Sequence, residues 1–399
     1  MVKDWTPTLI GDLLDFKNGL NKGKEFFGKG TPIVNYTDVY HHRGLTASDI
    51  KGTVTLTKDE IRRFEAKKND VFFTRTSETP EEVGISAVLL DNVENCVFSG
   101  FILRGRPKSD DLDEQYCKYC FSTKQVRSDI IQHCTYTTRA LTNGKVLSKI
   151  SIPLPEKTEQ AEIARTIEAF DTYIDNLTEL IEKKKNIRDG ALEDLVSGRT
   201  RLNGFADKWE QKHLLECVEL VQGLTYSPDR IRRTGTLVLR SSNIQDNKLC
   251  LTDNVYVSMT IPEKTFVCKG DILICVRNGS ASLIGKSCIL PELPNTAFGA
   301  FMSVLRGDKT GFISKCFNSD CIQRQLRNRT SATINQITKK DFEDLTVLLP
   351  PENEQMAIAT VLETMDEEIS NLESEKEKMI QIREGAMDDL LTGRVRLNV

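Results

Sequence analysis

Residues 154–202 read LPEKTEQAEIARTIEAFDTYIDNLTELIEKKKNIRDGALEDLVSGRTRL, and residues 349–397 read LPPENEQMAIATVLETMDEEISNLESEKEKMIQIREGAMDDLLTGRVRL. The two stretches align without a gap at an offset of 195, and about half of the 49 aligned positions are identical. Glu159-Gln160 matches Glu354-Gln355, Asn176-Leu177 matches Asn371-Leu372, and Arg188 matches Arg383. Chance does not produce such agreement, so the chain is a tandem repeat.

Both copies carry a helical period. Ile163, Ile167, Phe170, Ile174, Leu177 and Ile181 follow a 4-3-4-3 spacing, and Ile358, Leu362, Met365, Ile369 and Leu372 repeat it. Thr158 and Asn353, after proline-containing turns, are the expected N-caps, and Gly198 and Gly393 stand where each helix should stop. Each helix then has about 40 residues and spans about 60 Å. An apolar stripe this narrow on so long a rod needs a partner helix, and the other copy is the obvious one. Gly190-Ala191 and Gly385-Ala386 fall inside the pattern. A glycine inside a helix costs about 1 kcal/mol relative to alanine, which close helix–helix approach would compensate.

The flanking segments echo each other more faintly. Trp5 pairs with Trp209, Gly19-Leu20 with Gly223-Leu224, Gly30-Thr31 with Gly235-Thr236, Asp70 with Asp271, and Gly84 with Gly285. The offset drifts, so loops differ in length. Residues 32–34, 71–73, 237–239 and 272–275 are expected strands, and residues 114–134 and 312–329 read as helical. The fold class is α+β, a pseudo-two-fold repeat. Two mixed α/β domains, 1–153 and 203–348, are separated by two long helices, 154–202 and 349–399, expected to pack antiparallel as in a coiled coil. Two diverged domains on near-identical rods suggest different targets held by one shared frame.

The totals agree with this layout. A chain of 399 residues is too long for one ordinary core. The apolar runs are short, and Met1-Val2-Lys3-Asp4 leads into no signal core, so a cytoplasmic protein without membrane association is expected. Eleven scattered cysteines fit free thiols in a reducing compartment. The net charge of −4 argues at first against nucleic acid, but its distribution does not. Segments 154–202 and 349–399 hold 13 Lys+Arg against 23 Asp+Glu, which leaves +6 on the two globular parts. That excess permits phosphate contact.

Catalytic motifs are missing. Gly23 to Gly30 (GKEFFGKG) has the spacing of a phosphate loop, but Gly30 replaces the Ser/Thr that would hold Mg²⁺, and Pro32 blocks an immediate helix. Cys117 and Cys120 form a lone C-x-x-C in a chain with four histidines, which reads as packing rather than zinc. His41-His42 reads as a solvated loop pair. There is no methyltransferase Asn-Pro-Pro-Tyr-type motif, no glycine-rich S-adenosylmethionine (SAM) loop, and no nuclease Asp…Glu-x-Lys in a plausible setting.

Residues suited to reading DNA recur at corresponding strand ends. Thr74-Arg75-Thr76-Ser77 follows one strand and Arg277-Asn278-Gly279-Ser280 follows its counterpart, while Asn35-Tyr36-Thr37 corresponds to Arg240-Ser241-Ser242. Arginine can contact guanine O6 and N7 together, asparagine can do the same for adenine N6 and N7, and Ser/Thr serve bases or phosphates. A third set precedes each long helix: Thr137-Thr138-Arg139 and Arg329-Thr330-Ser331. Arg324, Arg327 and Arg329, at helical spacing, are candidates for phosphates. Arg230, Arg232 and Arg233 read as a solvated loop.

A strand ending in Leu-Pro, then Glu-Gln, a long helix and a closing Gly-Arg-x-Arg-Leu, all present twice, resemble the conserved regions of type I restriction-modification specificity subunits. Trp5 and Trp209 at the domain starts resemble that family too, as does Thr138-Arg139-Ala140-Leu141 running into Ile150-Ser151-Ile152-Pro153-Leu154-Pro155. The resemblance covers the whole chain. It implies a non-catalytic subunit that recognises a bipartite target in double-stranded DNA, each half read by one domain. It further implies two copies of a DNA adenine methyltransferase subunit on the helical frame and a restriction and translocation subunit joining them. SAM, ATP and Mg²⁺ would belong to those partners. Glu159, Gln160, Glu354, Gln355, Arg199 and Arg394, identical in both copies, are the candidates for holding partner subunits. The competing class is an antiparallel coiled-coil scaffold whose two domains bind protein; affinity for duplex DNA together with a methylase discriminates.

Overall fold

A computed structural model describes residues 5–328 and 336–397. The chain divides into two compact units, residues 1–178 with 374–399, and residues 179–373. The division falls inside the long helices rather than at the repeat boundaries. The first helix, Lys157–Ser197, and the second, Glu352–Leu391, each give their N-terminal half to one unit and their C-terminal half to the other.

In the first unit a five-stranded sheet runs in the order Leu14–Asn18, Ile102–Pro107, Val71–Thr74, Ser86–Leu89, Gly44–Leu45. Its neighbours are antiparallel except the last pair, Gly44–Leu45 beside Ser86–Leu89. In the second unit the matching sheet is Glu219–Gln222, Met302–Arg306, Ile272–Cys275, Ser287–Ile289. The central strands Val71–Thr74 and Ile272–Cys275 are buried at all four positions, as their unbroken apolar runs require. Each starts from the same turn. Lys67 N donates to the Asp70 carboxylate (2.7 Å) with Asn69 at φ +71°, and Cys268 N donates to Asp271 (2.8 Å) with Gly270 at φ +87°. The same carboxylates brace the next strand: Asp70 takes two bonds from Arg106 (2.7 and 2.7 Å) and Asp271 two from Arg306 (2.9 and 2.7 Å). Those bonds hold both guanidinium groups above their ordinary pKa. Gly84 and Gly285, at φ +72° and +82°, close the hairpins by donating to Thr74 O and Cys275 O.

The expected strands are present within Phe27–Val34, Val71–Thr74, Thr236–Leu239 and Ile272–Cys275. The helical stretches are more broken than expected. Residues 114–134 form a 3-10 turn, Tyr116–Lys118, and a helix, Lys124–His133, whereas 312–328 fall in two helices, Thr310–Asn318 and Asp320–Arg327, interrupted at Ser319. Chain 23–30 runs into a strand rather than a helix. Cys117 and Cys120 pack in the core of the first unit.

Both long helices stop where the glycines stand. Gly198 and Gly393 take φ +70° and +71°, and Thr200 N and Val395 N reach back to Asp194 O and Asp389 O. The starts differ from expectation. Thr158 and Asn353 lie inside the first turn, because the carbonyls of Glu156 and Pro351 already accept from Gln160 N and Gln355 N. The glycine pairs also differ: a Cβ on Gly190 or Gly385 would meet nothing within 4 Å, so neither marks a close approach.

Apolar stripe residues enter the cores. Ile163, Ala164 and Ile167 pack with Met387, Leu390 and Leu391 in the first unit, and Leu192, Leu195 and Val196 with Ile358 and Leu362 in the second. Polar contacts link the same segments. In the first unit Arg383 bonds Asp171 (2.7 Å) and Tyr173 bonds Glu375 (2.5 Å); in the second, Arg188 bonds Asp366 (3.0 Å) and Lys184 bonds Glu368 (2.6 Å). Ile369 is buried and its counterpart Ile174 half-buried. Ile369→Asp should therefore destabilise by roughly 3 kcal/mol or more, because an unpaired charge is buried, and Ile174→Asp by less, because its carboxylate can reach water. Thermal denaturation of the two variants gives the ranking, and wild-type stability in both would remove the stripe from the packing.

No helix among the described residues is long and apolar enough to cross a membrane.

Candidate nucleic-acid interface

The two strand-end sets lie where short loops leave the central strands. In the first unit Thr76–Ser77 pairs with Ala140–Leu141, which pairs in turn with Thr135–Tyr136. This small sheet brings the set at 74–77 beside the hairpin carrying Arg139. Arg139 is exposed and 3.8 Å from Glu78. Tyr36 joins them, its hydroxyl donating to Ser77 Oγ (3.2 Å), while its ring stacks on Tyr40 at 5.7 Å. In the second unit Asn278 Nδ2 donates to Ser241 Oγ (3.0 Å), which reproduces the Tyr36–Ser77 junction with other residues. Ile337 N donates to Val276 O (2.8 Å) as Thr142 N does to Arg75 O (2.9 Å), so the same crossing is present. Arg329, Thr330 and Ser331 lie outside the described residues.

Several candidates are spent inside the protein. Thr74 is fully buried, donating to Glu82 O (2.6 Å) and accepting from Ile85 N (2.9 Å). Ser77 is buried and bonds the Glu82 carboxylate. Asn35 caps the N-terminus of a short helix, Tyr36–His41, with its backbone N–H on Asp38 (2.7 Å) and its side chain against Gly52. Burial pushes the Tyr36 phenol above its ordinary pKa, so it remains a neutral donor. Glu82 was invisible as a site residue. It gathers Tyr36, Tyr40 and Ser77 around one carboxylate, and no local pattern marks it.

The arginines divide by exposure. Arg75 is half-buried, with Nη1 on Gly100 O (3.2 Å) and a buried Nε without a partner among the described residues. Arg277 is exposed, its guanidinium 5.3 Å above the Phe301 ring. The two are not equivalent. Arg75 N and Val276 N bond the corresponding carbonyls of Phe101 (2.9 Å) and Phe301 (3.0 Å), so Arg277 matches Thr76, and an offset of one residue turns a side chain to the other face of an extended chain. Arg324 and Arg327 are exposed on their helix, and both pair with Asp320, which accepts from Arg327 at 2.5 Å.

The second unit also holds a recess of about 650 Å³, lined by Tyr226, Arg240, Ser241, Ser242, Asp253 and Phe301 among others. Arg240 is tied to Asp253 (2.7 Å), but its Nε and Ser242 Oγ are buried with no partner among the described residues. Donors left this way are costly unless something else binds them.

The residues expected to hold partners need correcting. Glu159 and Glu354 are buried, and each carboxylate is already occupied. Glu354 takes a forked pair of bonds from Arg201 (2.7 and 2.7 Å) and a third from Trp209 Nε1 (3.0 Å), with Arg201 5.4 Å over the Trp209 ring. Glu159 repeats this with Arg396 (2.6 and 2.8 Å) and Trp5 Nε1 (3.0 Å). Gln160 is buried on the Asp111 and Pro155 carbonyls (2.8 and 3.0 Å) and Gln355 on the Pro350 carbonyl (2.7 Å). The repeated Trp, Glu and final Arg therefore form an internal clasp, which the matching tryptophans signalled. Arg199 and Arg394 remain exposed, bonded to nearby Asp194 and to Asp388 and Asp389.

The sequence matches the type I restriction modification DNA specificity domain twice, at residues 2–186 and 206–381. A Methanocaldococcus jannaschii protein, the type I restriction enzyme MjaVIII specificity subunit, is 22% identical over 413 residues, covering 99% of this chain and 94% of that one. The EcoKI specificity subunit of Escherichia coli is 30% identical over 186 residues, or 44% of this chain and 40% of that one. Among solved structures, the S subunit of a type I system from M. genitalium superposes with a TM-score of 0.55 at 18% identity, covering 98% of this chain and 96% of the other. A chain from a study of assembly and conformational transition of the type I restriction-modification system gives 0.62 at 15% identity, covering 99% and 100%.

Proposed function

Because this chain belongs to the type I restriction-modification DNA specificity family, we propose that it reads a bipartite sequence in duplex DNA and directs adenine methylation by partner subunits. Segments 1–153 and 203–348 each read one half-site. Segments 154–202 and 349–399 form an antiparallel, coiled-coil-like frame that fixes the gap. Contacts that fall along one helix as they rise along the other, Asp171 with Arg383 and Tyr173 with Glu375, support that direction.

The observation that carries the reading is the doubling itself. The clasp and the Asp–Arg brace are the same in both units, while the side chains at the strand ends differ: Tyr36 and Ser77 in one, Ser241 and Asn278 in the other. A constant frame with unlike side chains at the junctions behind the strand-end loops is what two different half-sites require. Arg277 and Asn278 are suited to base edges, and Arg324 and Arg327 to phosphates.

Two copies of a DNA methyltransferase subunit dock on the frame, and a restriction and translocation subunit can join them. SAM, ATP and Mg²⁺ sit on those partners, and the complex works in the cytoplasm with its DNA. The pure chain should then show no methyl transfer, nuclease or ATPase activity, whereas the chain with its methylase should bind one duplex sequence and methylate it. SAM-dependent methyl transfer by the chain alone would overturn the assignment. Sequencing the methylome of the host with and without this gene identifies the target.

A further inference from the structure

Two phenylalanines stand out in water at the same place in the two units. Phe101 is 58% exposed and Phe301 56%. Each is the third residue of a tight turn between buried strands: Ile102 N donates to Ser99 O (3.1 Å), and Met302 N to Gly299 O (2.8 Å). Phe98 and Phe298 before the turns, and Ile102 and Met302 after them, are buried. The turns are pinned at the phenylalanine itself, whose carbonyl accepts from Arg75 N or Val276 N. Neighbouring positions differ between the copies, Ser99-Gly100 against Gly299-Ala300 and Leu103 against Ser303, yet the exposed ring is present in both.

A ring more than half in water forgoes most of what a phenylalanine gains in a core. Fold stability does not explain it at either turn. Each turn also has a guanidinium at it: Arg277 lies over the Phe301 ring, and Arg75 bonds Gly100 O in the turn that carries Phe101. An apolar tip beside a fixed positive charge matches duplex DNA, where phosphates flank a groove floor. On the major-groove floor the one apolar group is the thymine C5 methyl.

We propose that Phe101 and Phe301 are specificity-determining residues, each laying its exposed ring against a thymine methyl in the half-site its unit reads. This rests on the DNA-reading function above. It names residues and a chemical group which that reading leaves open. Under the proposed function, adenine methylation of the target places at least one A·T pair, and so a thymine, within it.

The test uses the full chain assembled with its methyltransferase subunit, on duplexes in which each thymine of the target is replaced singly by deoxyuridine. For wild type, losing one buried methyl should weaken binding about fourfold at one thymine per half-site. In Phe301→Ala, uracil at the thymine in its own half should cost nothing further, while uracil in the other half still costs fourfold. Phe101→Ala should show the reverse. Phe301→Leu, which keeps an apolar tip, should retain part of the uracil penalty, and this separates contact from misfolding. The proposal is overturned if uracil costs wild type and alanine variants equally at every position, or if the alanine variants bind every duplex as wild type does. Failure of the underlying reading looks different: wild type would then show no preference for the target over unrelated duplex.

Discussion

Exchange of residues 203–348 for the corresponding segment of a relative with a known, different target should change one half of the methylated sequence and leave the other half unaltered. The strands and turns that present Arg240, Arg277, Asn278 and Phe301 all lie within that segment, and their hydrogen-bond partners do too. Each mismatched base pair costs roughly 1–3 kcal/mol, so a half-site of several pairs should switch by about three orders of magnitude or more. A point variant is a milder form of the same experiment. Arg277→Ala should relax one position of its half-site, whereas loss of a phosphate contact such as Arg324 should weaken all sequences alike. Lengthening one long helix should alter the gap between half-sites and not the bases read. Methylome sequencing reads these outcomes. A change in the half read by 1–153 after the exchange would mean that the two domains are not independent readers.

Asp271→Ala should destabilise the protein by about 3 kcal/mol or more. Asp271 is 1% exposed; its removal leaves the Arg306 guanidinium without its forked partner and Cys268 N–H without an acceptor. At roughly 2–4 °C per kcal/mol for a unit of this size, Tm should fall by about 6–12 °C. Asp70→Ala should do the same in the first unit through Arg106 and Lys67. Replacing Asp271 and Arg306 together with Leu and Met should cost much less, because no charge is then left stranded. A single variant as stable as wild type would show that the brace contributes nothing.

The duplicated polar contacts show where sequence reading is reliable. Asp70 and Asp271 match in the sequence itself, and the turns they organise involve only positions three apart. The same holds for Gly198 and Gly393, whose left-handed φ ends each helix within a few residues of the apolar period that defines it. Glu159-Gln160 and Glu354-Gln355 are equally conspicuous in the sequence, yet they are buried inside their own units. Identity between copies does not distinguish an outward face that holds a partner from an inward face that holds the fold. Trp5 lies 154 positions from Glu159, and Arg396 lies 237 away.

By itself, then, the sequence determined the repeat, the two long helices, the strands that flank each candidate loop and the absence of catalytic motifs. All of these are written in periodicity, turn chemistry and residue type over short windows. The tertiary structure decided which candidate groups face outward. It consumed Thr74 and Ser77 on Glu82, set Arg277 one position out of register with Arg75, left Gly190 and Gly385 in open space, and left Phe101 and Phe301 exposed at matching turns. The physical reason is that how available a side chain is to DNA depends on how deeply its own unit buries it and how fully that unit satisfies it. Its competitors come from strands and loops far away in sequence, brought near only when the sheets close.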